Sequence, residues 1–206
     1  MTDPNCWNCG KPSAESLFCK YCNTLQPPTP NYYEFMGLEK KLSLDPQELQ
    51  KRFYELSRKV HPDRYYSGST SQERLYALES SAILNDAYRV LKDPVARAEY
   101  ILKEEGFDIG EQKSKDVPPE LLEEVFELNM ALEELREGNA STRPQIEEAC
   151  RQFIAMRGRI DAEMRELFGE YDRTGDHSVL SMLRAVLNRR RYIRNLVEEV
   201  ERELAR

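Results

Sequence analysis

The sequence predicts an all-α protein: a helical hairpin, then an antiparallel three-helix bundle, with a small tetracysteine metal-binding module ahead of both. Three observations predict it. Charged residues make up 33% of the 206 and glycine only 9 of them, a composition that leans helical. Beyond residue 31, apolar residues recur three and four apart, bounded by Asp caps, Pro starts and Gly stops. Cys6, Cys9, Cys19 and Cys22, by contrast, crowd into a short stretch with no such periodicity.

Residues 1–26 form the cysteine module, spaced Cys-x2-Cys-x9-Cys-x2-Cys and closed by the stiff linker Pro27-Pro28-Thr29-Pro30. Each Cys-x-x-Cys can curl so that two thiolates meet at one centre, and two such knuckles complete a tetrahedral sulfur site. Gly10 and Asn23, following each pair, suit the turns required. Four ligands close the coordination sphere, so a structural zinc is expected, with iron as the alternative. A module this short buries little core, so the metal would supply much of its folding free energy. A redox dithiol or a pair of disulfides are the competing readings. Cys150 stands alone in a helical segment and reads as a small buried hydrophobe.

Residues 31–106 carry four helical signals. The first is short, around Tyr32 to Gly37. The second has Asp45 at its N-cap, Pro46 at the first helical position and Glu48 three residues on, a capping-box pattern. Leu49, Phe53, Leu56 and Val60 line one side of it, and His61-Pro62-Asp63 ends it. A Ser/Gly/Thr-rich loop over 67–71 leads to a third helix near 72–92, and Asp93-Pro94 caps a fourth that stops at Gly106. Lys51, Arg52, Arg58, Lys59 and Arg64 make a positive patch on a chain whose formal charge is −7, a pattern that steers toward an acidic partner.

Residues 107–117 read as a polar connection. In 118–206, Pro118-Pro119 opens a helix to about 137, Pro144 starts another to about 171, and Asp176 caps the last. No internal repeat is expected. In the first of these helices Leu121, Val125, Leu128, Leu132 and Leu135 make a core stripe. Leu122, Phe126 and Met130 make a second line about 120–140° away, rimmed by Glu123, Glu127, Glu133, Glu134 and Glu137. Either that line is an exposed docking strip for a basic partner, or the helix buries both lines against its two neighbours. The run Arg189-Arg190-Arg191 reads as a solvated basic face.

The negative charge argues against a nucleic-acid binder, and no apolar run approaches the ~18 residues needed to span a bilayer. The first residues carry no secretory or transit pattern, which favours a bacterial cytoplasm, with a mitochondrial matrix after leader removal as the alternative.

Tyr32-Tyr33-Glu34-Phe35, His61-Pro62-Asp63, Asn85-Asp86-Ala87-Tyr88, Leu91, Asp93-Pro94 and Arg97 together resemble a J-domain. That resemblance implies stimulation of ATP hydrolysis on a DnaK/HscA-type chaperone by His61, Pro62 and Asp63, with the basic face of the preceding helix docking on it. Glu55 and Tyr54 depart from the fully basic face of general J-domains, which implies a preferred chaperone. Tyr100-Ile101-Leu102, Gly106-Phe107-Asp108, the acidic bundle and Cys6-Trp7-Asn8-Cys9-Gly10 narrow the likeness to the HscB family, in its subset with an N-terminal metal module. The family likeness implies that the bundle binds an IscU-type iron–sulfur scaffold through Leu122, Phe126, Glu127, Met130, Glu134 and Tyr192. It implies no enzyme chemistry in the chain itself, which is expected to act as a monomer or weak homodimer. A generalist J-protein for unfolded clients and a thiol redox protein are the alternatives.

Overall fold

The computed structural model describes residues 5–13, 16–108 and 119–205, the Glu120 side chain excepted. Most of the expected 107–117 connection, and Pro118, lie outside the described residues. Helices dominate, and the extended pairing among the described residues is confined to two isolated bridges, Asn5 with Pro12 and Phe18 with Leu25. The chain divides into two compact units, Met1–Arg97 and Ala98–Arg206. Residues 1–97 carry 13 Lys/Arg against 12 Asp/Glu and residues 98–206 carry 17 against 25, so the negative charge resides in the second unit.

In the first unit, α1 (Tyr32–Met36) is opened by Asn31, whose side chain accepts from the Tyr33 and Glu34 amides, and closed by Gly37 at φ 61°. Helix α2 (Pro46–Val60) starts where expected, with the Asp45 carboxylate accepting from the Gln47 amide. Helix α3 (Ser71–Lys92) carries the full capping box, Thr70 with Glu73. Leu49, Leu56 and Val60 of α2 and Ala77, Leu84, Ala87 and Leu91 of α3 are buried. Each large apolar side chain among them stabilises the unit by about 1.5–3 kcal/mol on transfer from water. Phe53 stacks on Tyr88 at 4.3 Å, pinning one helix to the other. The loop before α2 is tied down from the start of α4 (Pro94–Glu104): the Arg97 guanidinium, 6% exposed, donates to the Leu42 carbonyl at 2.7 Å and to that of Leu91.

The second unit holds α5 (Leu122–Arg136), α6 (Arg143–Thr174) and α7 (His177–Leu204), joined by tight turns at Gly138 and Gly175. Successive turns of this kind make α5 and α7 parallel, with α6 antiparallel to both. Helix α6 runs three residues beyond its expected end, because Asp172, Arg173 and Thr174 stay helical and only Gly175, at φ 67°, leaves the helix. Leu121, Val125, Leu128 and Leu132 are buried as the stripe predicts, joined by Ala131, while Leu135, in the last turn of α5, is half-buried. Cys150 is buried, 7% exposed, and burial raises its thiol pKa.

The basic run of α7 differs from expectation. Arg189 pairs with Glu163, Arg190 with Asp161 at 2.5 Å and Arg191 with Glu99 at 2.7 Å, so these side chains tie elements of the unit together. No described helix is long and apolar enough to cross a membrane.

Candidate functional sites

The two cysteine knuckles are near-copies, a repeat the sequence hides because little but the cysteines recurs. The Cys6 amide donates to the Lys11 carbonyl at 2.8 Å and the Gly10 amide to that of Cys6 at 2.9 Å. Thirteen residues on, Cys19 donates to Thr24 at 3.0 Å and Asn23 to Cys19 at 2.8 Å. Gly10 and Asn23 hold φ 67° and 57°, the left-handed turn that reverses the chain behind each pair.

All four sulfurs lie within 4.8 Å of one another, with Cys6 to Cys22 at 3.6 Å and Cys9 to Cys19 at 3.8 Å. Metal–thiolate bonds of about 2.3 Å in a tetrahedron put sulfurs about 3.8 Å apart, whereas a disulfide needs about 2.05 Å. N–H groups aim at the sulfurs from outside: Gln26 Nε2 to Cys6 at 3.3 Å and the Tyr21 amide to Cys19 at 3.4 Å. Such donors favour thiolate charge. The Thr24 hydroxyl and amide pull the Cys22 thiol down to about 6. The Cys9 thiol is lowered by its Lys11 backbone hydrogen bond, but desolvation and the neighbouring thiols outweigh that and raise it to about 11. The donor set therefore fits a bound metal, which would displace the remaining thiol protons and hold the two knuckles together.

The module is joined to the hairpin through Trp7. Its indole N–H donates to the Leu25 carbonyl at 2.7 Å, and its ring meets Tyr76 of α3 edge-on at 6.0 Å.

His61-Pro62-Asp63 forms a tight turn at the end of α2. Pro62–Tyr65 forms one 3₁₀ turn with His61 as its cap. The His61 Nδ1 accepts from the Asp63 amide at 3.3 Å, which leaves the ring proton on Nε2. Both His61 and Asp63 are exposed, 53% and 90% by side chain, so a donor and a carboxylate project from the turn. The Arg64 guanidinium and Tyr65 hydroxyl turn back to cap α2, donating to the Arg58 carbonyl at 2.7 Å and the Lys59 carbonyl at 3.1 Å.

The expected basic patch divides. Lys51 and Arg58 project from the outer face of α2, in line with Tyr54 and His61, and Lys59 is exposed on its flank. Arg52 instead reaches α1, with Nε donating to the Met36 carbonyl at 2.6 Å and Nη1 3.5 Å from Glu55. Sequence alone does not separate these arginines, because the acceptors that engage Arg52 and Arg64 are backbone carbonyls.

On α5, Leu122, Phe126 and Met130 are 55%, 65% and 50% exposed, which excludes the reading that buries both lines. Glu134 is exposed beside them and accepts from Asn139 at 3.0 Å. Glu127 lies apart from the strip, at the edge of a groove of about 480 Å³ between α5 and α6. Tyr192 is half-buried on α7, and burial, then the Glu199 charge, raises its phenol pKa. Arg136 pairs with Glu199 and Glu203, setting α7 against α5 at an offset of 63 to 67 residues. In parallel helices that register puts Tyr192 level with 125–129, the depth of Phe126.

The family model for the DnaJ domain matches residues 31–100, the segment that carries the hairpin and its His-Pro-Asp turn. The first unit is thus that of a J-domain protein. The likeness extends through the bundle. The mouse "Iron-sulfur cluster co-chaperone protein HscB" is 28% identical over 204 residues, 96% of this chain and 82% of the mouse protein. The Arabidopsis thaliana HscB homolog is 36% identical over 152 residues, 72% of this chain and 59% of its own. The crystal structure of human co-chaperone protein HscB superposes with a TM-score of 0.69 at 28% identity, covering 96% of this chain and 97% of that one. Over nearly its whole length, then, the chain is similar to HscB-type J-domain co-chaperones.

Proposed function

We propose that this chain serves iron–sulfur cluster assembly as a co-chaperone, binding an IscU-type scaffold through the bundle and presenting it to a DnaK/HscA-type chaperone. His61, Pro62 and Asp63 then stimulate hydrolysis on the chaperone, so the chain performs no bond-breaking chemistry of its own. The observation that carries this reading is the exposed strip Leu122, Phe126 and Met130 inside an acidic surround, in the same chain as a projecting His61-Pro62-Asp63 turn. A contiguous exposed apolar strip rimmed by polar side chains supports a docking role. Its carboxylates, Glu134 with Glu123 and Glu133, select a basic partner. Glu127 and Tyr192 extend the proposed surface to either side of the strip.

At the other site, Lys51, Arg58 and Lys59 draw in an acidic chaperone, with Arg52 and Arg64 holding the backbone that presents them. The His61 Nε2–H and the Asp63 carboxylate supply a donor and an acceptor at fixed spacing, and Pro62 lowers the entropy lost on docking. Cys6, Cys9, Cys19 and Cys22 would hold zinc, whose chemistry here is structural: it fixes the module that packs on α3 through Trp7.

The test is chaperone ATPase activity with and without scaffold. Wild type stimulates and the scaffold enhances the effect, while His61→Gln loses stimulation at unchanged helicity. Equal stimulation by wild type and His61→Gln refutes the trigger assignment.

A further inference from the structure

The outer face of α2 carries an aromatic side chain that the hairpin core does not use. Lys51, Tyr54, Arg58 and His61 succeed one another three and four residues apart, so they form one line that ends at the turn. Tyr54 is 54% exposed at the middle of that line. Its ring does not stand alone. It meets Phe53 edge-on at 5.6 Å, Phe53 stacks on Tyr88 at 4.3 Å, and Lys92 Nζ lies 5.7 Å from the Tyr88 centroid. This ladder runs from the interhelical contact out to the surface and gives the Tyr54 ring an apolar neighbour on its own helix.

The charges on either side are available. Lys51 and Arg58 form no ion pair among the described residues, in contrast to Arg52, which is engaged by Met36 and Glu55. An exposed aromatic between two cations that are unpaired among the described residues matches an acidic surface with an apolar recess at its centre. A purely electrostatic stripe has no use for the ring.

Building on the chaperone-docking reading above, we propose that Tyr54 is the apolar anchor of the α2 docking stripe. It selects the chaperone whose acidic docking surface has a recess for the ring between the carboxylates that meet Lys51 and Arg58. The cations then govern encounter and Tyr54 governs residence, because desolvated aromatics act mainly on dissociation.

The experiment titrates the full-length chain into ATPase assays of two chaperones, one HscA-type and one DnaK-type, using wild type, Tyr54→Phe, Tyr54→Ala, Tyr54→Lys and His61→Gln. With the preferred chaperone, Tyr54→Ala raises the half-maximal concentration about ten- to thirtyfold, the range of a central aromatic anchor. Tyr54→Phe stays within about threefold of wild type. Tyr54→Lys does not rescue, although it adds a cation to the stripe, and the preference between the two chaperones shrinks in both Ala and Lys variants. If Tyr54→Ala stays within twofold of wild type, or Tyr54→Lys binds the preferred chaperone more tightly, the anchor is overturned. Wild type that stimulates neither chaperone, or His61→Gln that stimulates normally, overturns the docking reading itself.

Discussion

Phe126 and Leu128 sit two residues apart on α5, yet one is 65% exposed and the other 2%, so truncating each separates binding from folding. A phenylalanine side chain offers about 200 Å² of surface, so an exposed Phe126 presents roughly 130 Å² to a partner. Alanine keeps some of that area, leaving a loss of about 100 Å², or about 2.5 kcal/mol at 25 cal/mol per Å². Ordering the ring on binding returns about 0.5 kcal/mol of that, so Phe126→Ala weakens scaffold binding by about 2 kcal/mol, near thirtyfold. Its effect on folding is small, because little of the ring is buried in the bundle, and the melting point moves by a few degrees at most. Leu128→Ala opens a core cavity, costs about 2–5 kcal/mol and lowers the melting point by roughly 5–15 °C. Calorimetric titration with an IscU-type scaffold, well below either melting point, and thermal melts by circular dichroism measure the two effects. A Phe126→Ala protein that binds within threefold of wild type, or melts as low as Leu128→Ala, refutes the assignment.

Two further outcomes follow from local geometry. Trp7 is the only tryptophan in the chain and lies between Leu25 and Tyr76, so chelating the metal red-shifts its fluorescence while the helical circular dichroism persists; an unchanged spectrum on verified metal loss contradicts the structural role. The Asp176 carboxylate caps α7, and the Ser178 amide at 2.8 Å, then the Ser178 hydroxyl, hold its pKa below the ordinary aspartate range. A lowered folded-state pKa adds stability that is present above the unfolded value and lost as pH falls through the folded one. Asp176→Ala therefore melts earlier than wild type at pH 7 and converges with it in strong acid, and a gap that persists there rules out the carboxylate as its source.

Much of this architecture was legible because each signal is local. Asp45-Pro46 and Asp176 act within a few residues of themselves, and the cysteine spacing encodes a sulfur tetrahedron without reference to the rest of the chain. The Leu122, Phe126 and Met130 line was visible as a second apolar face, but periodicity does not say which faces of a helix have neighbours. The fate of each arginine was not legible. Arg52, Arg64 and Arg97 end on carbonyls of Met36, Arg58, Leu42 and Leu91, and a carbonyl acceptor leaves no trace in side-chain pattern. Arg97 lies 55 residues from Leu42, beyond any window in which charge pairing can be read. The knuckle repeat was hidden for a related reason: its regularity lies in backbone hydrogen bonds that Lys11 and Thr24 make equally well.

The distribution of charge gives the two proposed docking surfaces a shared logic. The first unit is nearly neutral overall, and Lys51 and Arg58 form no ion pair among the described residues, while residues 98–206 hold eight more acidic than basic side chains, 25 against 17. Specificity between two partners is a difference of affinities, and repulsion from the wrong site contributes as much as attraction to the right one. An acidic chaperone drawn to Lys51 and Arg58 is repelled by the carboxylates around Phe126, and a basic scaffold drawn to those carboxylates is repelled by the α2 stripe. Charge alone sorts the partners by sign but cannot tell one acidic chaperone from another. That finer choice requires shape, and each surface exposes an aromatic side chain able to supply it: Tyr54 between two cations, and Phe126 between Leu122 and Met130.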